Sequence, residues 1–258
     1  MKIWANTIVN NEENFIWFSL MSVVDYVDKI LVWDTGSTDK TVEIIEEIIK
    51  ENGNKVELKE VGPVDKFEFT KMRQAMLEES KCDWILILDG DEVWWEGSIK
   101  KLKEKIEQEG NKLDAIAVPF YNLVGDIYHY QSQAAGQYRL LGKKGHLTLK
   151  AINRNIPGLH WSRPYGQEGL SDDNNTLLQD RKVDSLMFLD SPFLHFTHLR
   201  RSRISHSKFK HDLGIKFPEG FKYPEVLYKE RSVNISSPWE SRSKLYEVLS
   251  LGKKVLKS

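Results

Sequence analysis

The sequence has almost no cysteine and no long apolar run. Cys82 is the only cysteine among 258 residues, so no disulfide can form within the chain, which fits a reducing compartment. Residues 15–24 are nearly uncharged but far short of the ~20 residues that a membrane span needs. The opening residues 1–6 lack the apolar core of a signal peptide. We therefore expect a soluble, cytoplasmic protein without a transmembrane segment.

An excess of charge of one sign is also missing. Lys and Arg number 37 against 38 Asp and Glu, which gives a formal net charge of -1. This balance provides no argument for a nucleic-acid partner, so any site for an anion must be local. Hydrophobic residues make up 40% of the chain and charged residues 29%, without low-complexity tracts or internal repeats. The composition is that of a globular protein with a sizeable core.

The most informative stretch is a short apolar run that ends in three carboxylates. Residues 84–88 (WILIL) predict a strand buried on both faces, and Asp89, Gly90, Asp91 and Glu92 follow it. Ligands of parallel sheets bind beyond the carboxyl ends of the strands. Carboxylates this close repel one another unless a cation neutralises them, and their oxygens suit Mn2+ or Mg2+. The alternative is an acidic turn, because Asp-Gly is a common turn dipeptide.

Strands and helices alternate through residues 1 to about 120. The patterns predict strands at 2–9, 29–33, 55–61 and 84–88, with helices at 15–24, 42–49, 69–77 and 98–108. This alternation is typical of a doubly wound α/β sheet with helices on both faces. The second strand runs into the polar loop 34–41, where helix N–H groups can bind an anion. Thr38 and Asp39 can instead cap the helix, and both roles are compatible.

From residue 114 the chain changes character. We predict strands at 115–120, 137–141, 146–152 and 186–196 and treat them as a mixed extension of the same sheet. Aromatic residues in this half could line a cleft for a sugar ring, although interior packing is their more frequent use: Tyr121, Tyr128, Tyr130, Trp161 and Tyr165. An amphipathic helix is expected at 239–256 through Leu245, Val248, Leu249 and Val255. It docks on the sheet or, less often, attaches to a membrane surface.

A strand near residue 195 ends in histidines and arginines. His195 and His198 are possible metal ligands, although a histidine near a strand end is more often structural. Arg200, Arg201 and Arg203 follow, and a guanidinium fork matches phosphate oxygens. A basic segment through Lys208, Lys210 and His211 comes next and reads as a helix or loop.

Four motifs stand in the order and spacing found in glycosyltransferase family 2 enzymes. They are residues 8–13 (IVNNEE), 34–41 (DTGSTDKT), 69–75 (FTKMRQA) and 88–92 (LDGDE). The chain therefore resembles that family over about its first 100 residues, and beyond them only through the strand-end histidine. The resemblance implies an α/β fold of the GT-A type, a three-layer α/β/α sandwich with a mostly parallel central sheet. It also implies a nucleotide-diphosphate sugar donor such as a UDP-sugar, Mn2+ or Mg2+, and transfer with inversion.

The resemblance assigns roles to particular residues. Asp34 would accept a hydrogen bond from the nucleobase, Asp89 with Gly90 would meet the ribose or donor sugar, and Asp91 would hold the metal. His198, or else His195, would be the distal metal ligand, and Arg200 or Arg201 would contact the diphosphate. The nucleotide pocket would also be lined by Val9, Asn11, Glu13 and Arg73.

The general base is the part of the site that the motifs do not supply. Inversion requires a carboxylate that deprotonates the acceptor hydroxyl. Many relatives carry a His-Glu pair after a glycine, but this chain reads PGLHW at 157–161. Glu168 is the first candidate, followed by Asp172 and Asp173.

These patterns also predict the domain organisation and the partners of the chain. We expect one catalytic domain over 1–258, with a nucleotide-sugar-binding half (1–113), an acceptor-side half (114–215) and a helical tail (216–258). The acceptor would be a glycan, a lipid-linked molecule or a protein. A lipid-linked acceptor would suit the basic segment at 200–210 and allow peripheral membrane contact, but a solvated surface explains these charges equally well.

Three further classes of protein are alternatives. Residues 89–93 (DGDEV) also fit the motif of haloacid-dehalogenase-type phosphatases, in which Asp89 would be a covalent nucleophile. That motif usually opens its domain, whereas here a nucleotide-binding pattern precedes it. A nucleotidyltransferase would need a glycine-rich loop near residue 10, which the chain lacks. A non-catalytic module that binds nucleotide or glycan is the third alternative.

Overall fold

The computed structural model describes residues 1–164, 166–202 and 212–255, with side chains up to residue 250. Several residues singled out from the sequence lie outside this range: Tyr165, Arg203, Lys208, Lys210, His211 and the side chain of Val255. The predictions made for them are not tested by the structure.

The first half of the chain builds the parallel part of a large sheet. Its elements are β1 (Ile3–Val9), α1 (Ile16–Val23), β2 (Lys29–Asp34), α2 (Thr41–Asn52), β3 (Val56–Glu60), α3 (Phe69–Glu79), β4 (Trp84–Ile87), β5 (Glu92–Trp94) and α4 (Glu96–Glu109). The strands lie in the order β4-β1-β2-β3 and all three pairings are parallel. The predicted alternation of strands and helices is confirmed here.

The second half extends the sheet with mixed pairings. It contains β6 (Ala115–Val124), β7 (Asp126–Tyr130), β8 (Tyr138–Leu140), β9 (Lys143–Gly145), β10 (Leu147–Asn153), β11 (His160–Ser162), β12 (Gly169–Ser171), β13 (Leu186–Phe188), β14 (Phe193–His198), β15 (Ile215–Lys216) and α5 (Lys244–Val255). β10 lies antiparallel between β4 and β6, and both β13 and β14 pair parallel to β6. Within the described residues the sheet has 11 strands.

Helices cover both faces of the sheet. On β1, Ile3, Ala5 and Val9 pack into the core shared with α1 and α2. Trp4 and Ile8 point the other way, into the cluster that includes α3. This alternation follows from the two-residue period of a strand. The result is the predicted α/β/α sandwich.

Three predicted elements differ from the structure. The strand expected at 137–141 is β8, which pairs with β9 in a separate two-stranded sheet instead of extending the large sheet. The single strand expected at 186–196 is divided into β13 and β14, and Pro192, which has no N–H to donate to a strand ladder, lies in the interruption. Within the described residues the tail is α-helical only in α5, because residues 216–243 carry Pro218, Pro224 and Pro238 and form mostly irregular backbone with a short 3-10 helix at Glu225–Tyr228.

The tail helix does not dock as predicted. Leu245, Val248 and Leu249 are 67%, 64% and 47% exposed. Tyr246 makes the contact instead, since it is buried and its hydroxyl donates to the Asp212 carbonyl at 3.1 Å. None of the helices in the described residues is long and apolar enough to cross a lipid bilayer.

Candidate active site

Two polar loops meet beside the carboxyl end of β1. Val9, the last residue of β1, lies opposite Asp34 in the parallel ladder with β2. On the other side, the acidic turn after β4 approaches so closely that a Cβ atom on Gly90 would lie 3.0 Å from Val9 Cγ1. Asp34 and the turn 89–92 therefore flank the same strand end, as the parallel topology predicts.

Asp34 is a buried carboxylate with one oxygen in use. Its Oδ2 accepts hydrogen bonds from the N–H groups of Gly36 and Ser37, both at 2.9 Å. Its Oδ1 is buried without a hydrogen-bond partner in the part of the chain that the structure describes. A buried acceptor without a partner is costly, so this oxygen is suited to a donor from a ligand.

The loop after β2 uses its N–H groups on protein acceptors. Thr38 N donates to Asn11 Oδ1 at 2.9 Å, and Thr41 N donates to Asp39 Oδ1 at 2.9 Å. Asn11 N in turn donates to Ser37 Oγ. The structure thus gives Asp39 the capping role, and Asn11 joins the two loops. The expectation that this helix start is open to an anion is not supported.

Residues 200–202 lie across the loop after β1. Arg201 Nη1 donates to Glu12 Oε1 at 2.6 Å, and Ser202 Oγ donates to Glu13 Oε1 at 3.0 Å. Arg200 is exposed, and its Nε donates to the Ser202 carbonyl. Of the two arginines proposed for the diphosphate, Arg201 is the one that faces the acidic residues. Glu13 holds this segment through Ser202, and its place in the nucleotide pocket stays a prediction.

The Glu12–Arg201 pair was not found from the sequence. Burial and the nearby Asp91 raise the pKa of Glu12 well above its usual range, although Arg201 opposes them. The two partners are 189 positions apart. The arginine run itself was the only signal, and it does not reveal which acid it would meet.

The acidic turn meets β14 in a compact group of possible metal ligands. One ligand atom each from Asp89, Glu92 and His195 lies within 4.8 Å of the others. His195 is brought there by its antiparallel pairing with Glu92, and its Nε2 lies 3.4 Å from Asp91 Oδ1. Among the described residues His198, the first choice from the sequence, is not part of this group.

Asp91 is a buried carboxylate of the turn. It is 3% exposed, and its backbone carbonyl accepts a hydrogen bond from Phe196 N at 2.9 Å. Its Oδ2 is buried and has no hydrogen-bond partner within the described residues. A hard cation is one group that would satisfy such an oxygen.

Lys150 is a site residue that the sequence reasoning missed. Its ammonium Nζ lies 2.6 Å from Glu92 Oε2 and 3.7 Å from Asp89 Oδ2, and its side chain is only 4% exposed. The available signal was a lysine in the middle of a largely apolar strand, LTLKAIN at 147–153. A buried lysine needs a carboxylate partner, so this position pointed to an ion pair.

These contacts set the charges of the cluster. Burial raises the pKa of Glu92 to about 7, because Lys150 only partly opposes it. Burial also acts to raise the pKa of Asp89, but Lys150 and Arg73 outweigh it and lower that pKa to about 2. Burial acts to lower the pKa of His195, but the adjacent Asp91 outweighs it, so the pKa of His195 lies above its usual value. Asp89 is thus anionic at neutral pH.

Arg73 is held between two aromatic rings. Its guanidinium carbon lies 4.9 Å from the centroids of both Phe69 and Trp161, and Nη2 lies 3.8 Å from Asp89 Oδ1. Stacking of this kind fixes the planar guanidinium while keeping its charge directed at the carboxylate.

A cavity of about 550 Å3 opens beside this arginine. Arg73, Asp89, Lys150, Trp161 and Glu168 all line it. Its size falls within the range of about 300–1,000 Å3 that is usual for small-molecule sites. The cavity brings the first candidate base, Glu168, to the same space as the acidic turn.

Asp172 has a structural role instead. Its Oδ1 accepts hydrogen bonds from Asn174 N and Thr176 N at 3.0 Å, and its Oδ2 pairs with Arg181 Nη1 at 2.7 Å. Both oxygens are engaged and the residue does not line the cavity. Asp173 is exposed and accepts from Asn174 Nδ2. The contacts of Asp172 argue against its assignment as a base.

Most of the aromatic residues expected in a sugar cleft are packed elsewhere. Tyr121 and Tyr130 meet edge to face, and Tyr130 stacks on Phe217 at 4.4 Å. Tyr128 packs on Trp239. These three tyrosines anchor the segment after β15, since apolar rings there gain more from burial than from exposure. Trp161 alone of the described set lines the cavity.

Comparison with known proteins agrees with this architecture. Residues 7–170 match the model of glycosyl transferase family 2. The chain is 29% identical over 175 residues to a TPR repeat-containing protein of Synechococcus elongatus, covering 68% of this chain and 36% of that protein. It is 31% identical over 164 residues to the SPbeta prophage-derived glycosyltransferase SunS of Bacillus subtilis, covering 60% of this chain and 36% of that protein. The chain thus spans little more than a third of these relatives.

Among solved structures, S. aureus TarS 1-349 in complex with UDP-GlcNAc superimposes with a TM-score of 0.50 at 16% sequence identity. The match covers 75% of this chain and 58% of that one. At this identity the likeness concerns the fold, and it confirms the GT-A type expected from the resemblance. The family model extends over residues 7–170 of 258, well beyond the four motifs. The chain belongs to glycosyl transferase family 2.

Proposed function

We propose that this chain forms the donor-binding and transfer site of a glycosyltransferase. It moves a sugar from a nucleotide-diphosphate donor, with a UDP-sugar as the first choice, to an acceptor hydroxyl with inversion. One observation carries the proposal: Asp34 and the turn 89–92 flank the end of β1, so one nucleotide can lie across both. Family membership supports the same reaction class.

The nucleotide lies on the loops after β1 and β2. The partnerless Oδ1 of Asp34 accepts a hydrogen bond from the nucleobase. Val9 forms the apolar floor between the two loops, and Asn11 keeps them together through Ser37 and Thr38. Arg73 directs its charge toward Asp89, which meets the ribose or the donor sugar. UDP-GlcNAc is the ligand of the TarS complex, so UDP is the first nucleotide to test.

The acidic turn fits a hard divalent ion such as Mn2+ or Mg2+. Oxygens of Asp89 and Glu92, a nitrogen of His195 and the buried Oδ2 of Asp91 are the donors that would hold it. When bound, the ion supplies positive charge to the diphosphate as it leaves. Arg73 and Lys150 add fixed positive charge at the same place, which stabilises the developing anion electrostatically.

Glu168 is the proposed general base. It lines the cavity that also exposes Asp89, Arg73 and Lys150, whereas Asp172 is tied to Arg181. An acceptor hydroxyl in this cavity would lose its proton to the Glu168 carboxylate while its oxygen attacks the anomeric carbon. The cavity accordingly serves as the acceptor site, and the acceptor provides a hydroxyl.

Calorimetric titration and a hydrolysis assay test the proposal. UDP is titrated into the protein with and without Mn2+, and a panel of nucleotide sugars is then screened for release of the sugar. Metal-dependent UDP binding with slow sugar release supports transfer. UDP binding without sugar release from any donor indicates a binding module. Hydrolysis of phosphate esters without UDP binding would contradict the proposal.

A further inference from the structure

The backbone aims Lys150 at the acidic turn through a β-bulge. In the pairing of β10 with β6, Leu149 lies opposite Ala117 and Ala151 lies opposite Ile116. Lys150 is therefore the extra residue, with no partner of its own in that ladder. Bulges of this kind redirect a side chain and are frequent next to active sites.

The ammonium of Lys150 lies beside two carboxylates and an aromatic ring. Its Nζ lies 2.6 Å from Glu92 Oε2, 3.7 Å from Asp89 Oδ2 and 5.3 Å from the centroid of the Phe193 ring. The side chains of Lys150 and Glu92 are 4% and 2% exposed. Water screens a pair so enclosed only weakly, so the charges act on one another strongly.

The same oxygens belong to the donor group for a divalent ion. Asp89 and Glu92 are two of the three residues whose ligand atoms lie within 4.8 Å of one another. A divalent ion among these atoms would face the fixed ammonium at close range. The two cations repel, and both need the same carboxylates.

We propose that Lys150 is a built-in counter-ion of the acidic turn and competes with a divalent ion for Glu92 and Asp89. It keeps the turn neutralised and folded without metal, and it weakens the affinity of the site for the ion. This inference rests on the metal site of the proposed function. It adds a residue that sets how readily that site takes the metal.

Binding of Mn2+ to the full chain without nucleotide tests the competition. The signal of free Mn2+ in electron paramagnetic resonance is followed for the wild type, Lys150→Gln, Lys150→Arg and Lys144→Gln. Removal of the buried charge in Lys150→Gln should tighten Mn2+ binding at least 10-fold. Lys150→Arg keeps the charge, and Lys144→Gln changes an exposed lysine of β9. Both variants should therefore bind Mn2+ with the affinity of the wild type.

Unchanged or weaker Mn2+ binding in a folded Lys150→Gln protein would overturn the inference, and so would the absence of Mn2+ binding in every variant. Failure of the proposed function has a different signature, namely no UDP binding and no sugar release by the wild type. Circular dichroism shows whether each variant is folded.

A measurement on the wild type covers the case in which Lys150→Gln does not fold. The protein is labelled with 13C-lysine, and the Cε resonance of Lys150 is assigned by its loss in Lys150→Arg. Saturating diamagnetic Mg2+ should shift this resonance, because the ion displaces the ammonium from the Glu92 carboxylate. A Lys150 resonance that stays in place while Mg2+ binds would overturn the inference.

Discussion

Gly90 and Val9 touch across the floor of the candidate site. A Cβ atom on Gly90 would lie 3.0 Å from Val9 Cγ1 and 3.1 Å from Glu12 Cγ. The absence of a side chain at residue 90 thus lets the acidic turn sit close against the end of β1. This contact sets how closely the turn 89–92 approaches Val9 and Glu12.

Gly90→Ala should destabilise the protein and disturb the site. The added methyl group requires the neighbours to shift by a few tenths of an ångström, and overpacking of this kind costs about 1–3 kcal/mol. We expect a lower midpoint in urea unfolding and weaker UDP binding. Gly97→Ala is the matched control, because a Cβ there meets no atom within 4 Å, and it should leave stability unchanged or slightly raised. Equal effects of the two substitutions would contradict the packing argument.

Asp91→Asn should weaken metal binding while the fold is kept. Asparagine has nearly the same shape, but it removes the negative charge beside His195 and the partnerless Oδ2. Loss of one ligand is expected to weaken Mn2+ binding by more than about 10-fold and to abolish metal-dependent sugar release. Asp173→Asn, at an exposed carboxylate, serves as the control. Full metal-dependent turnover by Asp91→Asn would place the metal elsewhere.

Glu168→Gln should lower the rate of transfer, whereas Asp172→Asn should lower the stability of the protein. Without the base, kcat of transfer should fall by about 10²–10⁴ in Glu168→Gln while the donor still binds. Asp172→Asn breaks a pair with Arg181 and should lower the free energy of unfolding by about 1–3 kcal/mol with kcat retained. Steady-state kinetics and thermal unfolding distinguish the two. The opposite pattern would reverse the assignment of the base.

Stability should fall as pH rises from about 5 to 8. Burial raises the pKa of Glu92 from 4.5 to about 7, so the folded protein holds a proton that the unfolded chain releases in this range. The raised pKa of His195 acts in the same direction. Glu92 alone accounts for a decrease of up to about 3 kcal/mol in the free energy of unfolding. Urea unfolding in EDTA at several pH values measures this decrease in the free energy of unfolding.

Glu92→Gln provides the comparison for that pH dependence. The amide does not titrate, so the decrease between pH 5 and 8 should be smaller than in the wild type. Equal slopes for the two proteins would show that Glu92 does not carry the titration.

Local patterns in the chain determined the first half of the fold. The apolar runs of β1, β2 and β4 and the helical spacing in α2 and α4 were each readable alone, since strand and helix periods are properties of neighbouring residues. The acidic tip after β4 and the polar loop after β2 followed from the carboxyl-end rule for parallel sheets. The family was visible from four motifs in that half.

The second half was harder to predict because many of its strands have only three residues and its pairings are mixed. The tail shows the consequence: a helix that looked amphipathic leaves Leu245, Val248 and Leu249 exposed and docks through Tyr246. Helical spacing identifies an apolar face but does not reveal whether a partner surface exists. Interior packing, the more frequent use expected for the aromatic residues, is what Tyr121 and Tyr130 show, since both pack on Phe217.

By itself the sequence determined which carboxylates stand at the sheet edge, because they directly follow a buried strand. Only the tertiary structure decided which cations face them. Lys150 reaches Glu92 through a bulge, and Arg201 reaches Glu12 across 189 positions. Such pairings depend on strand register and on contacts between distant segments, and local spacing along the chain does not encode either.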